Sequence, residues 1–190
     1  MSEDGTLPHT ALIYDDDKQR DRLIDSCADW SSKQWDSVVV FSSRPDTDSK
    51  FFRRMVKKVR PRRGLQSSSM IDLREVLEND ESDAADILAI LHESRVEPSQ
   101  GGRRRLVVGN WLHECYRRFD VGLEVEEGEE GSRDLICCYR SEGFWSLDVK
   151  HIARIFELHD RIMFGSAGFE QTWDLRRPTG RPTGPRTERP

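Results

Sequence analysis

PHTALIYDDD (8–17) and DSVVVFSS (36–43) are the two stretches whose reading decides the fold. ALIY (11–14) is a short apolar run that reads as a buried strand, left at Tyr14 into three consecutive acids. The second stretch is β-branched and apolar without alternation, as expected when both faces of a strand are covered. A third stretch, DLICCYRSEGFWSLDVKHIARIFELHDRIMFG (134–165), repeats the pattern of the first. An apolar strand leaves at Tyr139, and an amphipathic helix over Leu147–Met163 follows. Strand-to-helix turns of this kind belong to a parallel α/β sheet, whose strand carboxyl ends line a ligand crevice.

Between these anchors the chain alternates. DDDKQRDRLIDSCADWSSKQ reads as a helix with Leu23, Ile24, Cys27 and Trp30 as its stripe, and its acids suit the positive end of the helix dipole. Arg44-Pro45-Asp46 reads as a turn, and DSKFFRRMVKKV as a second helix ended by Pro61 and Gly64. Leu65–Leu73 is a weak strand, AADILAILHES a helix, and Leu106–Val108 a fourth strand broken at Gly109. Alternation of this kind predicts an α/β fold: a mainly parallel sheet of about five strands with helices on both faces. The expected organisation is a mobile stretch 1–7, a domain over 8–165 and a C-terminal extension 166–190, disordered from about residue 176. RRPTGRPTGPRTERP has no apolar residue with which to join a core.

Composition narrows the function classes. The 190 residues carry a net charge of -5, which disfavours a general nucleic-acid binder outside the basic tail. No apolar run approaches the roughly 20 residues of a membrane span, and no signal peptide is expected. A reduced, cytoplasmic protein is expected. Cys27, Cys115, Cys137 and Cys138 show no CxxC spacing, and the adjacent pair points to opposite sheet faces.

The order of elements resembles a known family. A His precedes a strand ending in Tyr, a VVVFSS strand follows, and a strand ending in Cys-Tyr leads to a helix reaching a His. This resembles the MEDS domain, the methanogen/methylotroph DcmR-type sensory domain, over roughly residues 8–165. The resemblance implies a degenerate RecA/KaiC-like fold without a phosphate loop, and a sensor of small ligands such as hydrocarbon derivatives, set beside output domains. No helix-turn-helix or kinase region is visible in this chain.

The residues agree on lost ATPase chemistry. A phosphate loop needs glycines, a Lys and a Ser/Thr. YDDDKQRDR has no glycine and sets three acids where phosphates would sit, each like-charge contact costing about 1 kcal/mol at 4 Å even in water. At the end of the RRRLVV strand, Gly109 and Asn110 stand where a magnesium-holding acid would be needed. No catalytic residue, cofactor or metal is therefore expected.

Two clusters remain. Tyr14, Trp111, Tyr139 and Phe144 follow or end buried strands and are expected to wall a ligand crevice at the carboxyl edge. At the opposite edge, about 17 Å away, His9, Cys138 and His159 form a second cluster. His159 shares i, i+3, i+4 spacing with Ile152, Ile155, Phe156 and Ile162, so it faces the sheet or caps the helix. A buried cysteine is most often an inert small hydrophobe. The leading reading is a non-catalytic sensory or regulatory domain for signal transduction or transcriptional control, binding a small molecule or a regulatory protein, with a homodimer as a further option. Rival readings are a degenerate RecA-like nucleotide-dependent enzyme and an interaction module. The module would use the basic helix FFRRMVKKVRPRR and the tail.

Overall fold

A single mixed sheet organises the chain in a computed structural model, which describes residues 7–28, 35–59, 68–74, 85–86, 89, 105–110, 134–166 and 169–175. The element order is β1 (Thr10–Tyr14), α1 (Asp17–Cys27), β2 (Ser37–Ser42), α2 (Pro45–Lys58), β3 (Ser69–Asp72), β4 (Arg105–Asn110), β5 (Leu135–Arg140), α3 (Ser141–Phe144), α4 (Val149–Leu158), β6 (Arg161–Ser166) and β7 (Phe169–Asp174). Among the described residues the sheet has seven strands in the order β3-β2-β4-β5-β1-β6-β7. Every pairing is parallel except β6 with β7, which is antiparallel.

The pleat divides the core in two. Leu12, Tyr14, Val38, Val40, Leu106, Val108, Ile136 and Cys138 face Leu23 and Ile24 of α1 and Phe51 and Met55 of α2. Ala11, Ile13, Val39, Phe41, Val107, Cys137 and Tyr139 face Phe144 of α3 and Ile155 and Leu158 of α4. Both faces are covered, which is why β2 and β5 read as unbroken apolar runs.

Helix starts follow the capping rules. Asp16 accepts the Gln19 amide at 2.8 Å, and Asp148 accepts the His151 amide at 2.9 Å. Pro45 opens α2, so the expected Arg44-Pro45-Asp46 turn is the first turn of that helix. Among the described residues, no helix is long and apolar enough to cross a membrane.

Three expectations need correction. The sheet has seven strands, not about five, because the helix expected over Leu147–Met163 ends at Leu158, and RIMFGS pairs with β1. FEQTWD then adds the edge strand β7, so the sheet runs through Asp174, past the expected boundary at residue 165. β4 also continues through Gly109 and Asn110, both paired with β2. AADILAILHES (84–94) lies almost entirely outside the described residues.

Candidate functional site

The pleat decides which expected site residues meet. β1 and β5 pair with Ile13 opposite Tyr139 and Tyr14 opposite Arg140, so the two tyrosines point to opposite faces. Tyr14 lies under α1 and α2, with its hydroxyl donating to Asn110 Oδ1 at 3.0 Å. Burial, with Cys138 nearby, pushes its phenol above the usual range against the opposing charges of Arg20 and Arg44. Tyr139 lies on the other face, edge-on to Phe144 at 6.0 Å. Tyr14, Tyr139 and Phe144 are all fully buried, and they do not wall one crevice. Trp111 lies outside the described residues.

A cleft does open at the carboxyl edge, beside those residues rather than between them. It has a volume of about 430 Å³ and is walled by Trp145, Phe156, Phe164 and Trp173, with Asp15, Ser141 and Gln171 as polar groups. Each wall comes from a different element. Trp145 follows α3, Phe156 is on α4, Phe164 on β6 and Trp173 on β7. The rings pack in order: Trp145 stacks on Phe164 at 6.2 Å, Phe164 meets Trp173 edge-on at 4.9 Å, and Phe156 touches Trp173 at 6.3 Å. Trp145 nevertheless keeps 62% of its surface exposed and Trp173 keeps 41%. At the mouth, the Ser141 hydroxyl donates to Asp15 Oδ1 at 2.5 Å, and Arg140 Nε donates to the Asp15 carbonyl at 3.3 Å. A concave, mostly aromatic cavity with a few polar groups is the usual form of a small-molecule site.

Behind Tyr14 lies a buried polar network. Asp48, fully buried, accepts from Arg20 at 2.6 Å on one oxygen, and from Ser42 at 2.6 Å and Asn110 at 2.7 Å on the other. Burial alone would raise this carboxyl. The Arg20 charge and the three hydrogen bonds outweigh it and hold Asp48 below the usual carboxylate range. Arg20 also pairs with Asp21 at 3.2 Å.

At the amino edge, His9, Cys137 and His159 come together, all fully buried. The expected second cluster named Cys138, and this is corrected. Ala11 pairs with Cys137, so His9, two residues earlier on β1's approach, shares the Cys137 face, while Cys138 faces α1 and α2. Burial there pushes the Cys138 thiol up. His159 is the C-cap of α4, not part of its apolar stripe, and its Nδ1 donates to the Ile155 carbonyl at 2.8 Å.

The basic helix α2 is partly neutralised. Arg54 pairs with Asp21 at 3.0 Å, and Lys58 pairs with Asp25. Residues 60–63 and the basic tail lie outside the described residues. No family model matches the chain, and no curated protein matches it.

Proposed function

We propose that this chain is a non-catalytic sensory or regulatory domain of MEDS type. It carries a degenerate RecA/KaiC-like fold, acts in cytoplasmic signalling or transcriptional control, and binds a small, largely apolar molecule in the aromatic cleft. The observation that carries the reading is the cleft itself: four aromatic walls from four elements leave an open volume at the carboxyl edge of the parallel strands β5, β1 and β6. Three features support the loss of nucleotide chemistry. Asp16 occupies the amino end of α1 as its cap, where a phosphate would need free amides. Asn110 ends β4 without a carboxylate. Asp48 is bound on both oxygens by its own neighbours, so it is not available as a base or a metal ligand.

A regulatory protein as the occupant is the second reading. It is favoured by the exposed apolar rim that Trp145 and Trp173 give the cleft.

Ligand-detected NMR with toluene and benzyl alcohol separates the two. Saturation should pass from protein to both probes and be lost in Trp145→Ala. Trp145 is largely exposed, so the melting temperature should change little. Equal transfer in both proteins, or none in either, would remove the cleft as a small-molecule site and leave the protein-contact reading of the same rim.

A further inference from the structure

We propose that His9, Cys137 and His159 form a binding site for a single divalent transition-metal ion of the zinc class. The inference stands on this cluster alone and does not depend on the aromatic cleft.

Three separate pieces of chain deliver the ligands: the approach to β1, the middle of β5 and the C-cap of α4. Their candidate ligand atoms all lie within 4.8 Å of one another, and all three residues are buried. His9 Nε2 is 3.4 Å from Cys137 Sγ, and the two imidazole centroids are 4.2 Å apart. Zn–S and Zn–N bonds of about 2.3 and 2.05 Å at tetrahedral angles put an N···S ligand pair about 3.6 Å apart. The observed pair, at 3.4 Å, is close to that spacing, and since every ligand-atom pair lies within 4.8 Å the others need to close by no more than about 1.4 Å.

The chemistry of His159 points the same way. A carbonyl oxygen can only accept, so the Nδ1–Ile155 contact places the hydrogen on Nδ1. In the neutral ring the lone pair then lies on Nε2. A ligating histidine usually donates its other ring N–H to a carbonyl or carboxylate, which fixes both tautomer and ring angle. The register supplies Cys137 in place of Cys138, since only the former shares a face with His9. Nitrogen and sulfur donors together select zinc-like ions over magnesium or calcium.

Binding is balanced by one proton. The ion replaces the thiol hydrogen of Cys137, both imidazoles bind as neutral ligands, and the proton leaves to solvent. Affinity therefore rises with pH. Three protein donors also leave a fourth position on a tetrahedral ion for water or a small ligand.

The test is titration of untagged, reduced full-length protein with Co²⁺, followed by absorption spectroscopy. The expected result is one ion per chain, a thiolate-to-cobalt charge-transfer band and the visible bands of tetrahedral cobalt. Losing a supporting partner of a metal ligand costs about 10–100-fold in affinity, so losing a ligand should cost at least that much. Cys137→Ser and His159→Gln should each weaken binding accordingly and remove or shift the band. Cys138→Ser, buried in the neighbouring position but on the other face, should leave it intact. Absence of the band in the natural protein would overturn the site, as would a band equally sensitive to Cys138→Ser or insensitive to Cys137→Ser. Should Cys137→Ser fail to fold, X-ray absorption of the zinc-loaded natural protein decides alone. One sulfur and two imidazole ligands support the proposal, and a shell without sulfur overturns it.

Discussion

Asp48 shows how a single residue holds two helices and two strands together. Its carboxylate joins Arg20 of α1 to Ser42 of β2 and Asn110 of β4, while it sits in the first turn of α2. Removing one member of a buried ion pair costs about 3–5 kcal/mol, because the partner charge stays behind. Asp21 and Asp17 remain near Arg20, so Asp48→Ala should fall at the lower end of that range in a urea titration. The pH dependence has a definite sign. The Asp48 carboxyl is depressed in the folded state, so its contribution is fully present above the ordinary carboxyl pKa of about 3.9 and is lost as pH falls through the folded value. Asp21 acts in the opposite sense. Burial holds it above its usual value despite Arg20 and Arg54, so its contribution is present at low pH and declines as pH rises through the folded value. Asp48→Asn should therefore flatten the acid side of the stability–pH curve and leave the Asp21 contribution in place. An unchanged acid limb would show that the network does not link Asp48 protonation to folding.

At the level of elements, α1 and β6 meet with no room to spare at Gly165. A Cβ there would lie 2.8 Å from Cγ and Cδ of Gln19 and 3.0 Å from Cδ1 of Leu23. Gln19 cannot simply swing aside, since its Oε1 accepts the Asp15 amide at 2.7 Å beside the cleft. Overpacking of this kind costs about 1–3 kcal/mol, so Gly165→Ala should lower stability by that amount. Adding Gln19→Ala should recover part of the loss, a coupling that a double-mutant cycle measures. Purely additive losses would place the strain elsewhere.

The same helix–strand region marks the limit of what the sequence reveals. β1, β2, β4 and β5 were legible because strands covered on both faces are continuous apolar runs. β6 was not, because Ile155, Phe156, His159 and Ile162 keep helical spacing across the true boundary, and His159-Asp160 holds neither glycine nor proline. Carrying the helix on to Met163 took the first half of β6 into it and left Phe164 outside any element, so the cleft stayed hidden. FEQTWD did carry a signal, since Phe169 and Trp173 are four apart, an even spacing that fits one face of a strand, but it borders the polar tail. Choosing Cys137 over Cys138 needed the β1–β5 register, which local sequence does not contain.

For the whole molecule, β7 closes one sheet edge and completes the cleft at the same time. Its ladder runs from Ser166 opposite Phe169 to Arg161 opposite Asp174, fastened by the Arg161–Asp174 pair at 2.6 Å and by the Leu175 amide on the Asp160 carbonyl at 2.7 Å. Gln171 and Trp173 face the cleft from this strand. Two truncations test its role. Ending the chain after Leu175 removes a stretch with no apolar residue, and the melting temperature should stay within about 2 °C. Ending it after Ser166 removes β7 and bares the hydrogen-bonding edge of β6, a surface that invites pairing between copies. That shorter chain should lose the toluene signal and sediment as larger species. His9, Cys137 and His159 all precede the cut, so its cobalt band should persist. Loss of the band together with the toluene signal would make β7 a support for both sites. An unaltered toluene signal would show that Trp145, Phe156 and Phe164 suffice to hold the ligand, and that β7 serves the sheet alone.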